Sequence, residues 1–173
     1  MSDRKRNIIL TAITLIIVFA SYYLLRISGD TAVRDDLVDY INNKVTKAHQ
    51  LELRAMDDYD RISKEQHIDK EALLGKLTSE IIPTYKSFIE ELKGIKPKTK
   101  KVQKINQLYI NAANAQYDAF TSMSDALKHK DEKALTAAMG KLEENRQLFI
   151  NMRSKLARLA LRENIKIEIS NKE

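Results

Sequence analysis

An uncharged, mostly apolar stretch near the N-terminus constrains this chain more than any other feature. Residues 8–25 contain no charged side chain, and they directly follow Arg4, Lys5 and Arg6. A helix rises about 1.5 Å per residue, so this stretch would span about 27 Å, close to the thickness of a bilayer's hydrocarbon core. We therefore predict a transmembrane signal anchor over residues 8–27. The residues expected to lie within the membrane include Ile8, Leu15, Val18, Phe19, Tyr22, Tyr23 and Leu25.

The charges beside this stretch predict its orientation. Three cations on its N-terminal side favour a cytoplasmic N-terminus, so residues 1–7 would form a short basic stub in the cytoplasm. Everything after Arg26 would then lie on the extracytoplasmic side. The sequence thus predicts a single-pass cell-membrane protein whose first partner is the lipid bilayer.

Two other interpretations of the N-terminal stretch compete with a retained anchor. A cleaved signal peptide is conceivable because Val18, Phe19 and Ala20 suit signal peptidase. The apolar stretch continues past that point through residues 21–25, however, where a polar segment would be expected. A buried core helix is disfavoured because the stretch is apolar on all sides, whereas the later helices are amphipathic. A retained anchor is therefore favoured.

Composition predicts an all-α fold for the rest of the chain. About 145 residues remain after the anchor, which is the size of one ordinary domain. The chain contains only 4 glycines and 2 prolines, and its dominant residues favour helix. It contains no cysteine, which excludes disulfides, thiolate metal sites and lipid attachment through a thiol. Packing alone must therefore hold the domain together.

Apolar residues recur at intervals of three and four and predict four long helices, over residues 31–63, 69–93, 99–128 and 132–163. Helices of this length joined by short loops pack most simply as an antiparallel up-down four-helix bundle, here over residues 31–169. Pro83 lies inside the second helix and predicts a kink near residues 80–82. After the fourth helix, residues 165–169 alternate with period two, as an extended strap or a frayed end would.

The third and fourth helices have the clearest core-facing positions. In the third, one face carries Val102, Ile105, Tyr109, Ala112, Gln116, Ala119, Met123 and Ala126. The fourth has a coiled-coil repeat in which Leu135, Leu142, Phe149 and Leu156 alternate with Ala138, Asn145, Met152 and Leu159. Asn145 is the polar residue of that repeat. We expect it to fix the register of the helix, with ligand binding as the alternative.

Basic residues gather at the end of the bundle that this topology places near the membrane. We define the basic collar as Lys93, Lys96, Lys98, Lys100, Lys101 and Lys104 around the second loop, with Arg153 and Arg158 from the fourth helix. Lys155 and Arg162 add to the same helix. We expect the collar to contact anionic lipid headgroups or an anionic wall polymer. The alternative is a solvated loop with no partner.

The charge balance and the motifs exclude several functional classes. From residue 31 onward, 26 basic residues oppose 22 acidic ones, a mixed surface unlike that of a nucleic-acid-binding protein. No glycine-rich phosphate loop or serine elbow occurs, so we expect no enzyme, no catalytic residue and no cofactor. His67 and His129 fall in loops beside carboxylates and could bind a transition metal, although loop residues of this kind are more often caps, so we expect no metal site. His49 is expected to be a packing or surface residue.

The last two helices resemble a known class of proteins. The stretch YINAANAQYDAFTSMSDALKHKDEKALTAAMGKLEENRQLFINMRSKLARLA, followed by NIKIEI, is similar to helical domains of small anchored or lipid-modified envelope proteins of Gram-positive bacteria. That class has no assigned activity, and this chain lacks the cysteine of its lipid-modified members. The resemblance implies an envelope location and no functional residue.

Three functions are compatible with these features. The first is a tethered interaction module that binds an unknown envelope protein, a peptide or a polymer. The second is a ligand-sensing bundle that acts through a partner, and the third is an immunity-type protein that sequesters a toxin. Homo-oligomerisation is also possible, since four amphipathic helices can exchange between two chains.

Overall fold

The computed structural model describes residues 31–63 and 69–165. These residues are almost entirely helical and include no β-strand, which confirms the predicted all-α class for this part of the chain. Within the same residues, no helix combines the length and the apolar character needed to cross a membrane. The predicted cytoplasmic stub and transmembrane helix lie outside the described residues, as does most of the predicted strap.

Two of the helices contain a π-helical turn. Helix α1 covers residues 31–63 and consists of an α-helix over 31–39, a π-turn at Tyr40–Lys44 and an α-helix at Thr46–Ser63. Helix α2 consists of Lys70–Lys76, a π-turn at Leu77–Ile81 and Ile82–Gly94. The backbone stays in the right-handed helical region on both sides of each turn, so each helix is continuous.

The π-turn of α2 lies directly before Pro83, where the sequence predicts a kink. Proline has no backbone N–H, and its ring clashes with the carbonyl one turn earlier in a regular α-helix. The wider π-turn at Leu77–Ile81 leaves Pro83 in the first turn of the next α-helical segment, where its missing donor costs least. The irregularity is therefore a local consequence of one residue.

Helix α3 covers Lys100–His129 and α4 covers Glu132–Arg162. Lys130 closes α3 in the left-handed region with φ 55°, and the Asp131 N–H then donates to the Ala126 carbonyl at 2.9 Å. The Asp131 side chain caps α4 by accepting from the Ala134 N–H. This two-residue connection folds α4 back along α3.

Consecutive helices run antiparallel, because residues at similar distances from the loop that connects two helices contact each other. Lys47 on α1 pairs with Glu91 on α2, and the Asn145 side chain on α4 donates to the Ala115 carbonyl on α3 at 2.8 Å. Every core-facing residue predicted for α3 is buried, and in α4 only Asn145 and Leu156 of the predicted repeat are half-buried. Edge-to-face aromatic pairs fill the centre. They involve Tyr85, Phe88, Tyr109, Phe120 and Phe149.

We call one end of this bundle the basal end. It contains the start of α1, the α2–α3 loop and the last turns of α4. Asp36 near the start of α1 binds Thr99 in that loop, and Lys101 in the first turn of α3 pairs with Glu163 after the last turn of α4. Any segment that precedes residue 31 joins the bundle at this end.

Candidate functional site

A basic groove lies between α3 and α4 at the basal end. It has a volume of about 580 Å³. Its apolar floor consists of the inward parts of Ile105, Leu108 and Leu159. Gln107 and five basic side chains line the rest of the groove, and the basic ones are Lys101, Lys104, Lys155, Arg158 and Arg162. The groove therefore combines an apolar surface with positive charge.

Within the described part of the chain, most of the groove's cations have no acidic partner. Lys101 pairs with Glu163, whose carboxylate lies 3.1 Å away. Among the residues that the structure describes, no carboxylate pairs with Lys104, Lys155, Arg158 or Arg162, although Arg158 Nε donates to the Ser154 carbonyl at 3.3 Å. Uncompensated cations that converge on one concavity raise the local concentration of anions.

The structure brings together only part of the predicted basic collar. Lys101, Lys104 and Arg158 line the groove, and Lys155 and Arg162 join them. The remaining lysines of the collar are exposed on the end of α2, in the α2–α3 loop and at the first residue of α3. They are Lys93, Lys96, Lys98 and Lys100.

Arg153 does not share the groove with the other collar residues. Five residues separate it from Arg158, so the two side chains leave α4 in directions about 140° apart. Arg153 instead points towards α1, where its Nη2 lies 3.8 Å from Glu52 Oε1.

A buried carboxylate holds the α2–α3 loop against α1. Asp36 is 2 % exposed, and it accepts the backbone N–H groups of Lys98 at 2.9 Å and Thr99 at 2.7 Å. The Thr99 hydroxyl donates a third hydrogen bond at 2.8 Å. Burial by itself raises the pKa of Asp36, but these hydrogen bonds and the charge of Lys44 outweigh burial and lower it overall. Asp36 thereby fixes the two residues that lead into α3, and Thr99, which directly precedes the helix, makes no capping hydrogen bond with its own side chain.

A second buried chain of hydrogen bonds lies one turn further from the basal end. The Tyr40 hydroxyl donates to Asn106 Oδ1 at 3.1 Å, and Asn106 Nδ2 donates to the Leu92 carbonyl at 3.2 Å. Burial raises the pKa of Tyr40, so this hydroxyl stays protonated and acts as a donor. These hydrogen bonds join α1, α3 and the end of α2. They therefore stabilise the part of the bundle that carries the basic collar.

The most unusual polar group is Glu52, which is 4 % exposed in the middle of α1. Its Oε2 accepts the Tyr109 hydroxyl from α3 and lies 3.0 Å from His49 Nδ1. Arg153 approaches its other oxygen from α4. Burial, then the charge of Glu52 and this hydrogen bond, raise the pKa of Tyr109. Glu52 therefore links three helices through hydrogen bonds and charge.

Sequence reasoning missed Glu52, although one signal could have revealed it. Glu52 lies four residues after Ala48 and three residues before Ala55, so it shares a helical face with two fully buried alanines. Leu51, the apolar residue directly before it, is only half-buried. His49, which we expected to be a packing or surface residue, is partly exposed and also contacts Glu52.

The structure describes only part of the histidine hypothesis. His129 is exposed at the end of α3, and its Nδ1 lies 2.8 Å from the Asp125 carbonyl. His67 lies outside the described residues. Within residues 31–63 and 69–165, no three metal-ligating side chains of the histidine, cysteine or carboxylate type are placed to hold an ion.

The chain matches no known protein family, and it matches no characterised protein and no solved structure.

Proposed function

We propose that this chain is a non-catalytic interaction module of the bacterial cell envelope. Helices α1 to α4 form an extracytoplasmic, antiparallel up-down four-helix bundle. Residues 8–27 tether the bundle to the cell membrane as a single transmembrane helix with a cytoplasmic N-terminus. The basal end then contacts anionic groups on lipid or on a wall polymer.

The observation that carries this proposal is the position of four cations that have no carboxylate partner among the residues that the structure describes. Lys104, Lys155, Arg158 and Arg162 surround a groove at the same end of the bundle where α1 begins. The exposed lysines of the α2–α3 loop lie at that end as well. A tether attached before residue 31 would bring this positive surface next to the bilayer, where anionic headgroups attract basic residues.

The short connection to the tether supports the same geometry. The proposed transmembrane helix ends at residue 27 and α1 is described from residue 31. Four residues reach at most about 14 Å when fully extended. The screening length at physiological salt is about 8 Å, so the cations of the basal end would attract anionic headgroups when this connection is not fully extended.

Protease treatment of intact cells tests the tether and its orientation. The full chain would carry one epitope tag at each terminus and be produced in a Gram-positive host whose wall has been removed. Added protease is expected to remove the C-terminal tag and leave a membrane-bound N-terminal fragment that keeps its tag. A cytoplasmic protein that stays intact provides the control.

Two results would contradict the proposal. Survival of the C-terminal tag until the cells are lysed would place the bundle in the cytoplasm. Loss of the N-terminal tag from the membrane fraction before any protease is added would show that the stretch is a cleaved signal peptide.

A further inference from the structure

We propose that the basic groove between α3 and α4 is a binding site for a single anionic phospholipid. The phosphate would lie among the cations of the groove, and the first part of an acyl chain would cover its apolar floor. This inference rests on the proposed function, because a tether is what places the groove beside the bilayer.

The cations suit a phosphate group. Arg158 and Arg162 follow each other by one helical turn, and both line the groove from α4. A guanidinium can give two parallel hydrogen bonds to a phosphate, and lysine supplies a mobile point charge. Lys104 lines the groove from α3, and Lys155 lies about one turn before Arg158 on α4. Since these four side chains lack a carboxylate partner in the described part of the chain, a phosphate need not displace one.

The apolar floor distinguishes a lipid from a polymer. Ile105, Leu108 and Leu159 lie beneath the cations, and Leu108 is the most accessible of the three. A hydrophilic polyanion would satisfy the cations and leave this surface in contact with water. A phospholipid satisfies both parts, because its acyl chain covers apolar surface at about 25 cal/mol per Å².

Photo-crosslinking in nanodiscs tests the site with the full chain. The nanodiscs would contain phosphatidylcholine and a small fraction of phosphatidylglycerol that carries a diazirine near the start of one acyl chain. After irradiation, mass spectrometry of peptides locates the label. The expected labelled peptides contain residues 101–108 and 155–162. The same diazirine on phosphatidylcholine is expected to label them far less.

Two matched variants separate the groove from general positive charge. The groove variant carries K104Q, K155Q, R158Q and R162Q, and the distal variant carries K128Q, K130Q, K133Q and K141Q. Each loses four charges, and all substituted residues of the distal variant are exposed and outside the groove. In the groove variant, labelling of the groove peptides is expected to fall about fivefold for each substituted cation that contacts the phosphate. In the distal variant, labelling is expected to stay unchanged. Leu108→Gln is expected to reduce labelling while all groove cations remain.

The outcomes distinguish this inference from the proposed function. A chain that fails to enter nanodiscs overturns the tether and the lipid site together. A chain that enters nanodiscs but is labelled equally in the groove and distal variants, or equally by both lipids, overturns the lipid site alone. Full competition by soluble polyglycerol phosphate, with no effect of Leu108→Gln, would also overturn it and would identify a polymer site instead.

Discussion

Two buried tyrosines of the aromatic core, Tyr85 and Tyr109, differ in what their hydroxyl groups contact. Tyr109 donates to the Glu52 carboxylate. The Tyr85 hydroxyl is fully buried and has no hydrogen-bond partner among the described residues. Burial raises the pKa of both side chains, so both hydroxyls are neutral donors at physiological pH. Only one of these donors contributes a hydrogen bond to the folded state.

We therefore predict opposite effects from the same substitution at these two positions. Tyr109→Phe removes a hydrogen bond to a charged group and is expected to lower the free energy of unfolding by about 1.5–3 kcal/mol. Tyr85→Phe removes a buried hydroxyl without a partner and is expected to leave that free energy unchanged or raise it by up to about 1 kcal/mol. Urea unfolding of the full chain in neutral detergent, followed by circular dichroism, measures both. Equal losses in the two variants would contradict the assigned hydrogen bonds.

Asp36 gives the fold a predictable dependence on pH. Its pKa is lowered from an ordinary value of 3.8 in the folded state. Its contribution to stability is therefore present above that value and is lost as the pH falls through the folded pKa. Asp36→Asn is expected to lower the free energy of unfolding by about 1–3 kcal/mol at pH 7. The difference in the free energy of unfolding between this variant and the unsubstituted chain should become smaller below pH 3.8.

Denaturant unfolding at several pH values measures this effect. Asp57→Asn is the matched control, because Asp57 is exposed on the same helix. If the difference in the free energy of unfolding between Asp36→Asn and the unsubstituted chain is the same at pH 3 and pH 7, the negative charge of Asp36 does not stabilise the fold. Its contribution would then come from packing.

The contacts of individual buried polar residues were the features least predictable from the sequence. Periodicity identified apolar faces, but it assigned no role to Asp36 or Glu52. Their partners are remote in sequence: Asp36 binds residues 62 and 63 positions away, and Glu52 binds Tyr109 at a separation of 57. A local pattern carries no information about which distant donor will face a carboxylate, so these contacts depend on the packing of whole helices.

At the scale of a single element, α4 contains one glycine whose replacement by alanine should stabilise the helix. Gly140 lies on its exposed face in the helix interior, and a Cβ added there would meet no heavy atom within 4 Å. Its φ is not positive, so an alanine fits the same backbone. Glycine in a helix interior costs conformational entropy without supplying a contact.

Gly140→Ala is expected to raise the free energy of unfolding by about 0.5–1 kcal/mol. Ala137→Gly, one turn earlier on an exposed position of the same helix, is expected to lower it by a similar amount. Thermal unfolding of the full chain in neutral detergent compares the two variants. A loss of stability in Gly140→Ala would mean that this face of α4 has a close neighbour.

The elements themselves were largely predictable from the sequence. Asp69 and Asp131 cap α2 and α4 as local side chain–backbone pairs, and Pro83 marks the irregular part of α2. The π-turn at Tyr40–Lys44 carried no such signal, because no proline or glycine lies within it or close to either of its ends. The burial of Tyr40 and its hydrogen bond to Asn106 depend on the packing of α1 against α3.

For the whole molecule, the basal end concentrates positive charge on one face. Exposed lysines of the collar surround the α2–α3 loop, and the groove cations continue the positive surface along α3 and α4. Attraction of this surface to an anionic bilayer depends on ionic strength, since the screening length shortens from about 10 Å at 0.1 M salt to about 3 Å at 1 M.

Trypsin cleavage in nanodiscs is expected to report this attraction. Cleavage of the full chain after Lys98, in the α2–α3 loop, should be slower in nanodiscs rich in phosphatidylglycerol than in pure phosphatidylcholine. High salt should remove the difference. Cleavage after Lys130, at the opposite end, provides the internal control and should be the same in both lipids. Identical rates after Lys98 at low salt would argue against contact between the basal end and the membrane.

The sequence by itself determined the all-α class, the approximate extent of the helices and the core-facing positions of α3 and α4, because these follow from spacing and capping along a single segment. It also located the basic residues near one end of the bundle. Only the tertiary structure decided which of those cations share a groove, that Arg153 turns away to Glu52, and that Asp36 fastens the loop between α2 and α3. The physical reason is that a groove or a buried ion pair exists only between helices, and its members are set by how the helices are rotated and aligned against one another.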